Sequence, residues 1–272
     1  MAQHVAANPP ADTADLIANA VTSPETSLIL RQILEAALAN SPGASWAAQA
    51  HALLANILMN DYLNWWNKAG QAELQAAQTA AAQAGSLVLA QHAQGLIHRA
   101  LARSADGNAL AEHKKARVLF RAAKRREDGF ARAHAQFGNQ KILLGRASEA
   151  HAPLDRARNL NPHHPASGYF DWAEGRAYFQ EEIWSDAIVW LTKSVAALST
   201  VWYNRCYLAA AQDAANQAAA AQQTMTDFLK DGRFDKTTFD RIVPSLKPNG
   251  QDPSTVARAR RRVLAFVQKW LP

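Results

Sequence analysis

Three kinds of residue in this chain have side chains suited to chemistry: histidines, a lone cysteine, and clustered cations interleaved with aromatics. His163-His164 stands between Pro162 and Pro165 in NLNPHHP, and adjacent imidazoles raise the question of a metal site. Zinc needs three or four ligands at definite spacing, and neither HExxH nor HxH with a nearby carboxylate occurs here. His51, His92, His98, His113, His134 and His151 repeat no ligand interval. The pair therefore reads as part of a connector, and no metal is expected. Cys206 has no evident catalytic partner and reads as a buried packing residue. No GxSxG elbow, Walker loop or GxGxxG is present. Neither a catalytic residue nor a cofactor is expected, and the chain reads as non-enzymatic.

The cations fall into two runs. HKKARVLFRAAKRRED places Lys114, Lys115, Arg121, Lys124, Arg125 and Arg126 on a helix whose apolar face holds Ala116, Phe120 and Ala123. A solvated outer face accounts for these charges. VARARRRVLAFVQKW gathers Arg258, Arg260, Arg261 and Arg262 beside an apolar stripe of Val263, Leu264, Phe266 and Val267. This second run can dock as a capping helix with its arginines in water, or offer them to an acidic partner or phosphates. With a net charge of +6, an alternative function is that of a nucleic-acid-associated regulator using basic helices at 113–126 and 256–269. No base-reading module accompanies them.

Both runs need helices to carry them, and the composition supplies a helical bias. Alanine accounts for 59 of 272 residues and glycine for only 12, which favours helix over turn-rich sheet. A single cysteine excludes an internal disulfide framework and fits a reducing compartment. The first twenty residues show no basic segment followed by an apolar one, and no stretch approaches the length needed to cross a bilayer. The expectation is a cytoplasmic protein without a membrane span.

A repeated register organises the helices. From Ala131 to His164 the informative positions are Phe137-Gly138, Gly145, Ala150, Leu154, Ala157 and Asn161-Pro162. Gly138 lets two helices approach, Gly145 suits the turn, and Ala150 and Ala157 are small contacts with Leu154 between them. Asn161-Pro162 stops the second helix, because proline lacks a donor and disfavours helical geometry before it. The pattern recurs in phase: Ala116, Phe120 and Ala123 repeat the second helix, and Gly138 follows Ala123 by the 15 residues that separate Gly95 from Ala80 and Ala52 from Ala37. Gly175, Tyr178, Ala187 and Leu191 form another unit, and a weaker one runs through Tyr203–Phe228. Such segments cannot bury their apolar stripes alone, so neighbours must stack.

This register resembles the tetratricopeptide repeat (TPR), a helix-turn-helix unit of 34 residues. At a finer level, DYLNWWNKAG, LDRARNLNPHHP, WAEGRAYFQEEIWSDAIVWL and a tail from FDKTTFDRIVPSL to LAFVQKWLP resemble the repeat region following the catalytic domain in many bacterial adenylate/guanylate cyclases and related regulators. No segment resembles the cyclase domain itself, so the resemblance implies a regulatory or interaction module. It implies an all-α, right-handed superhelical solenoid: a flexible segment at 1–22, about five repeats over 23–231, and a helical cap over 232–272.

In such arrays the first helices line a concave groove. That frame places Trp46, His92, Arg99, Arg132, Asn139, Tyr169, Trp172, Arg176, Phe179, Tyr203 and Tyr207 on or near it. Aromatic and arginine side chains are the usual anchors of interfaces, and the expected partner is a protein or peptide, with acidic character fitting the arginines. Trp172, Phe179 and Tyr207 are equally well explained as core between repeats. Trp65-Trp66 with Tyr62 reads either as core or as an exposed patch for self-association.

Overall fold

The computed structural model describes residues 23–103, 108–234 and 236–270, and among them every regular element is helical. The expected flexible segment at 1–22 lies outside the described residues. The chain divides into two compact units: the first takes in the described residues up to 137 together with 156–165, the second residues 138–155 and those from 166 onward.

In the first unit α1 (Pro24–Asn40) packs on α2 (Ala47–Asn64), α2 pairs with α3 (Gln71–Gln83), and α4 (Val88–Leu101) pairs with α5 (Ala109–Arg126). Helices α2 and α4 also pack side by side, so first helix lies against first helix. Ser23 caps α1 by accepting from the Thr26 amide, with Pro24 at the first helical position, where its missing donor costs nothing. At the crossing of α4 and α5, a Cβ on Gly95 would stand 2.5 Å from the Phe120 ring. Ala116, Phe120 and Ala123 are fully buried, as the repeated register requires. Asn108 caps α5 through the Ala111 amide, and the helix runs unbroken from Ala109 to Arg126.

The connector NWWNK between α2 and α3 is unusual, because Trp65, Asn67 and Lys68 all adopt left-handed backbone without being glycine. Asn67 offsets part of that strain by donating to the Pro24 carbonyl at 2.9 Å and to Asp61 at 3.3 Å. Trp66 is buried, and Trp65 and Tyr62 are half-buried. Burial of Trp66 fits the core alternative for that residue; among the described residues of this unit the exposed large apolar side chains are Leu28, Ile29 and Ile33 on α1 and Val118 on α5.

Helix α6 (Ala131–Leu143) and helix α7 (His151–Leu160) contribute residues to both units. The second unit opens on Gly138, where a Cβ would stand 2.9 Å from Leu154 Cγ, and it includes the left-handed turn at Gly145 (φ 74°). Helix α8 (Ser167–Glu181) pairs with α9 (Trp184–Ala197), and α10 (Tyr203–Ala214) with α11 (Ala218–Lys230). Gly175 meets Leu191 as Gly138 meets Leu154, since a Cβ on Gly175 would stand only 2.7 Å from Leu191 Cγ. Last come α12 (Lys236–Leu246) and α13 (Ser254–Val267), the latter packed on α10 and α8. The architecture is all-α, built of helical hairpins whose crossings put a glycine opposite Phe120, Leu154 or Leu191.

Candidate functional site

Polar side chains are not spread evenly through the buried interior. Of the 18 buried polar or charged residues among those described, 14 belong to the first helices α2, α4, α6, α8 and α10. Burying a polar group without a partner is costly, so the partners of these side chains show how each face is organised.

In the first unit Asn56 donates to the carbonyls of Ala52 and Leu89, leaving its Oδ1 to accept from His92 Nδ1 at 2.6 Å. His92 is therefore protonated on Nδ1, and its buried Nε2 has no hydrogen-bond partner among the described residues. Burial, reinforced by the charges of Arg132 and Arg99, holds its pKa well below the usual value and keeps the ring neutral. The Phe120 and Phe130 rings pack on it. Arg99 donates to Gln136, and Arg132 to Asn60. Trp46 is half-buried at the start of α2.

In the second unit the seven remaining groove candidates form two connected groups. Asn139 donates to the Tyr169 hydroxyl at 2.7 Å and accepts from Arg176 at 2.7 Å. The Arg176 guanidinium lies 4.6 Å from the centroid of the Trp172 ring, which in turn contacts Tyr169 and Tyr203. Phe179 packs edge-on against Tyr207 at 5.2 Å. Trp172, Phe179 and Tyr207 are buried, which matches the core alternative for them. Of the eleven candidates across the chain, only Trp46 and Tyr169 are half-buried, and the other nine are buried.

One cluster escaped the sequence reading. His151, at the start of α7, places Nδ1 2.5 Å from Glu174 and Nε2 2.9 Å from Glu181, with the Tyr178 ring stacked 4.5 Å away. Hydrogen bonds to the Glu174 carboxylate first, and also to Glu181, raise the His151 pKa to about 9. The signal available in sequence was the seven-residue spacing of Glu174 and Glu181, which puts both on one face of a helix. Arg205 was missed too: it donates to the carbonyls of Ser199 and Val201, pairs with Asp231, and stacks on Phe234.

His163 is exposed and His164 buried in the connector after α7. No group of metal-competent side chains forms among the described residues. Cys206 is fully buried, and burial pushes its thiol pKa far up, leaving an inert packing residue.

The basic runs separate. On α13, Arg258 and Arg262 both reach Glu182, at 3.1 and 3.5 Å, and Arg262 lies over the Trp184 ring. Arg260 pairs with Asp252. Arg258, Arg261 and Arg262 stay exposed, as expected of a capping helix with its arginines in water, and three of the four also reach Glu182, Asp252 or the Trp184 ring. On α5, Lys115 pairs with Glu112, Arg126 donates to the Ser86 carbonyl, and Lys124 lies over the Phe137 ring. Lys114, Arg117, Arg121 and Arg125 have no acidic partner among the described residues.

No family model and no curated protein matches this chain. Among solved structures, a thermophilic TPR protein of Thermus thermophilus is similar to it, at 19% identity and a TM-score of 0.49, over 71% of this chain and 89% of that one. No helix of the described residues is long and apolar enough to cross a membrane.

Proposed function

We propose that the chain is a non-catalytic protein- or peptide-binding module of the cytoplasm, acting as a regulatory scaffold through its first-helix faces. The observation that carries this reading is the concentration of buried polar side chains on α2, α4, α6, α8 and α10. In the second unit these side chains are locked into the Tyr169–Asn139–Arg176–Trp172 chain, with half-buried Tyr169 at its accessible end. Side chains already held in place lose little entropy when a partner arrives. Trp172 Nε1 and Gln180 Oε1, on the same helix, are buried without a hydrogen-bond partner among the described residues, each at a cost of about 1–3 kcal/mol. A peptide amide or carboxylate reaching them after a small side-chain shift would remove that cost. The resemblance to cyclase-associated repeat regions supports a regulatory role for such binding.

Trp172→Phe and Arg176→Gln remove the donor and the cation while keeping most of the packing. Affinity capture with wild type and this double variant, compared by mass spectrometry, is expected to show specific partners lost from the variant at unchanged helical circular dichroism. Recovery of the same partners by both proteins would overturn the groove assignment.

A further inference from the structure

Among the described helices, α5 carries the largest positive charge. Helix α5 carries seven basic residues and one acidic residue, an excess of +6, which equals the net charge of the whole chain. Its buried face, Ala109, His113, Ala116, Phe120 and Ala123, is committed to the first unit. On the opposite side Lys114, Arg121 and Arg125 are exposed and Arg117 is half-buried. At 100° per residue these four lie within an arc of about 80°, and at 1.5 Å per residue they span about 16 Å along the axis. The acidic residues at either end are engaged: Glu112 with His98 and Lys115, Asp128 with Arg156, and Glu127, the C-cap residue, in contacts of its own.

We propose that this face of α5 binds the phosphate backbone of duplex nucleic acid without sequence preference. The proposal is separate from the first-helix reading above. Three features select this occupant. Protein interfaces combine arginine with aromatic anchors, whereas α5 exposes no aromatic side chain, since His113 and Phe120 are buried, and its only apolar side chain projecting well into solvent is Val118. Insertion into a bilayer needs a free apolar face, and that of α5 is buried. A duplex presents one charge per about 1.7 Å of axis with condensed counterions, which rewards a straight row of uncompensated cations. The major groove also admits an α-helix. Helix α5 contains no asparagine or glutamine to read adenine, and a row of long cations at this spacing matches phosphates.

The test is fluorescence anisotropy of a labelled 20-base-pair mixed-sequence duplex between 50 and 200 mM NaCl. Four phosphate contacts predict a slope of log K against log[salt] of about −3.6, a fall of roughly a hundredfold over that range. Replacing Lys114, Arg117, Arg121 and Arg125 together by glutamine is expected to abolish binding at unchanged thermal stability, and each single replacement to lower the slope by about 0.9. Arg261→Gln on α13 is expected to leave binding unchanged. Absence of binding at 50 mM salt, full binding by the quadruple variant, or equal loss from Arg261→Gln would overturn the proposal. So would equal affinity for polyglutamate or for phosphatidylserine vesicles, which would assign the face to acidic protein or to membrane instead.

Discussion

Helices α5 and α13 carry similar runs, amphipathic stretches in which arginines and lysines alternate with small and apolar residues, yet their charges end in different surroundings. On α13 three of the four cations find Glu182, Asp252 or the Trp184 ring, while Val256, Val263, Phe266 and Val267 are buried against the second unit. On α5 four cations find no acid among the described residues. Net charge is additive along a sequence, but its availability depends on which carboxylates the fold brings within a few ångströms.

The sharpest way to break the comparison is to remove what anchors α5. Phe120→Ala empties the space over Gly95 and is expected to cost about 3–5 kcal/mol in urea denaturation. A loss below about 1 kcal/mol would mean that α5 is not packed as described.

The two units should also answer pH with opposite signs. His92 in the first unit is buried neutral with a depressed pKa, so its contribution is present above the ordinary value near 6.5 and is lost as pH falls below it. His151 in the second unit has a pKa raised to about 9, so its contribution is full below about 6.5 and is lost as pH rises through 9. Unfolding free energies measured from pH 5 to 10 should show the alkaline loss disappear in His151→Gln while the acid loss remains.

Smaller effects sharpen the contrast between the helices. Glu182→Gln should cost only about 0.5–1 kcal/mol, since its pairs with Arg258 and Arg262 are partly exposed. It should also free two arginines and make α13 behave more like α5, with measurable duplex affinity gained. Arg117→Gln should leave stability within about 0.5 kcal/mol while flattening the salt dependence of duplex binding. If Glu182→Gln adds no affinity, pairing is not what distinguishes the two helices.

The hairpin register was legible in the sequence because it rests on steric size at fixed intervals. Gly138 opposite Leu154, Gly175 opposite Leu191, and Phe120 over Gly95 are requirements of helix approach that a one-dimensional pattern can display. The groove candidates were legible as types, and Asn139, Arg176, Tyr169 and Trp172 do converge. Their depth was not, because burial of a first-helix side chain depends on helices distant in sequence. The His151 cluster stayed hidden for the same reason: its carboxylates lie 23 and 30 residues away on another helix.

By itself, then, the sequence determined the helical character, the hairpin spacing and the places where helices must touch, since these follow from backbone propensity and side-chain volume read locally. Only the tertiary structure decided which cations are paired, which histidine is charged and which aromatics are covered, because electrostatic and solvent environments are set by through-space neighbours.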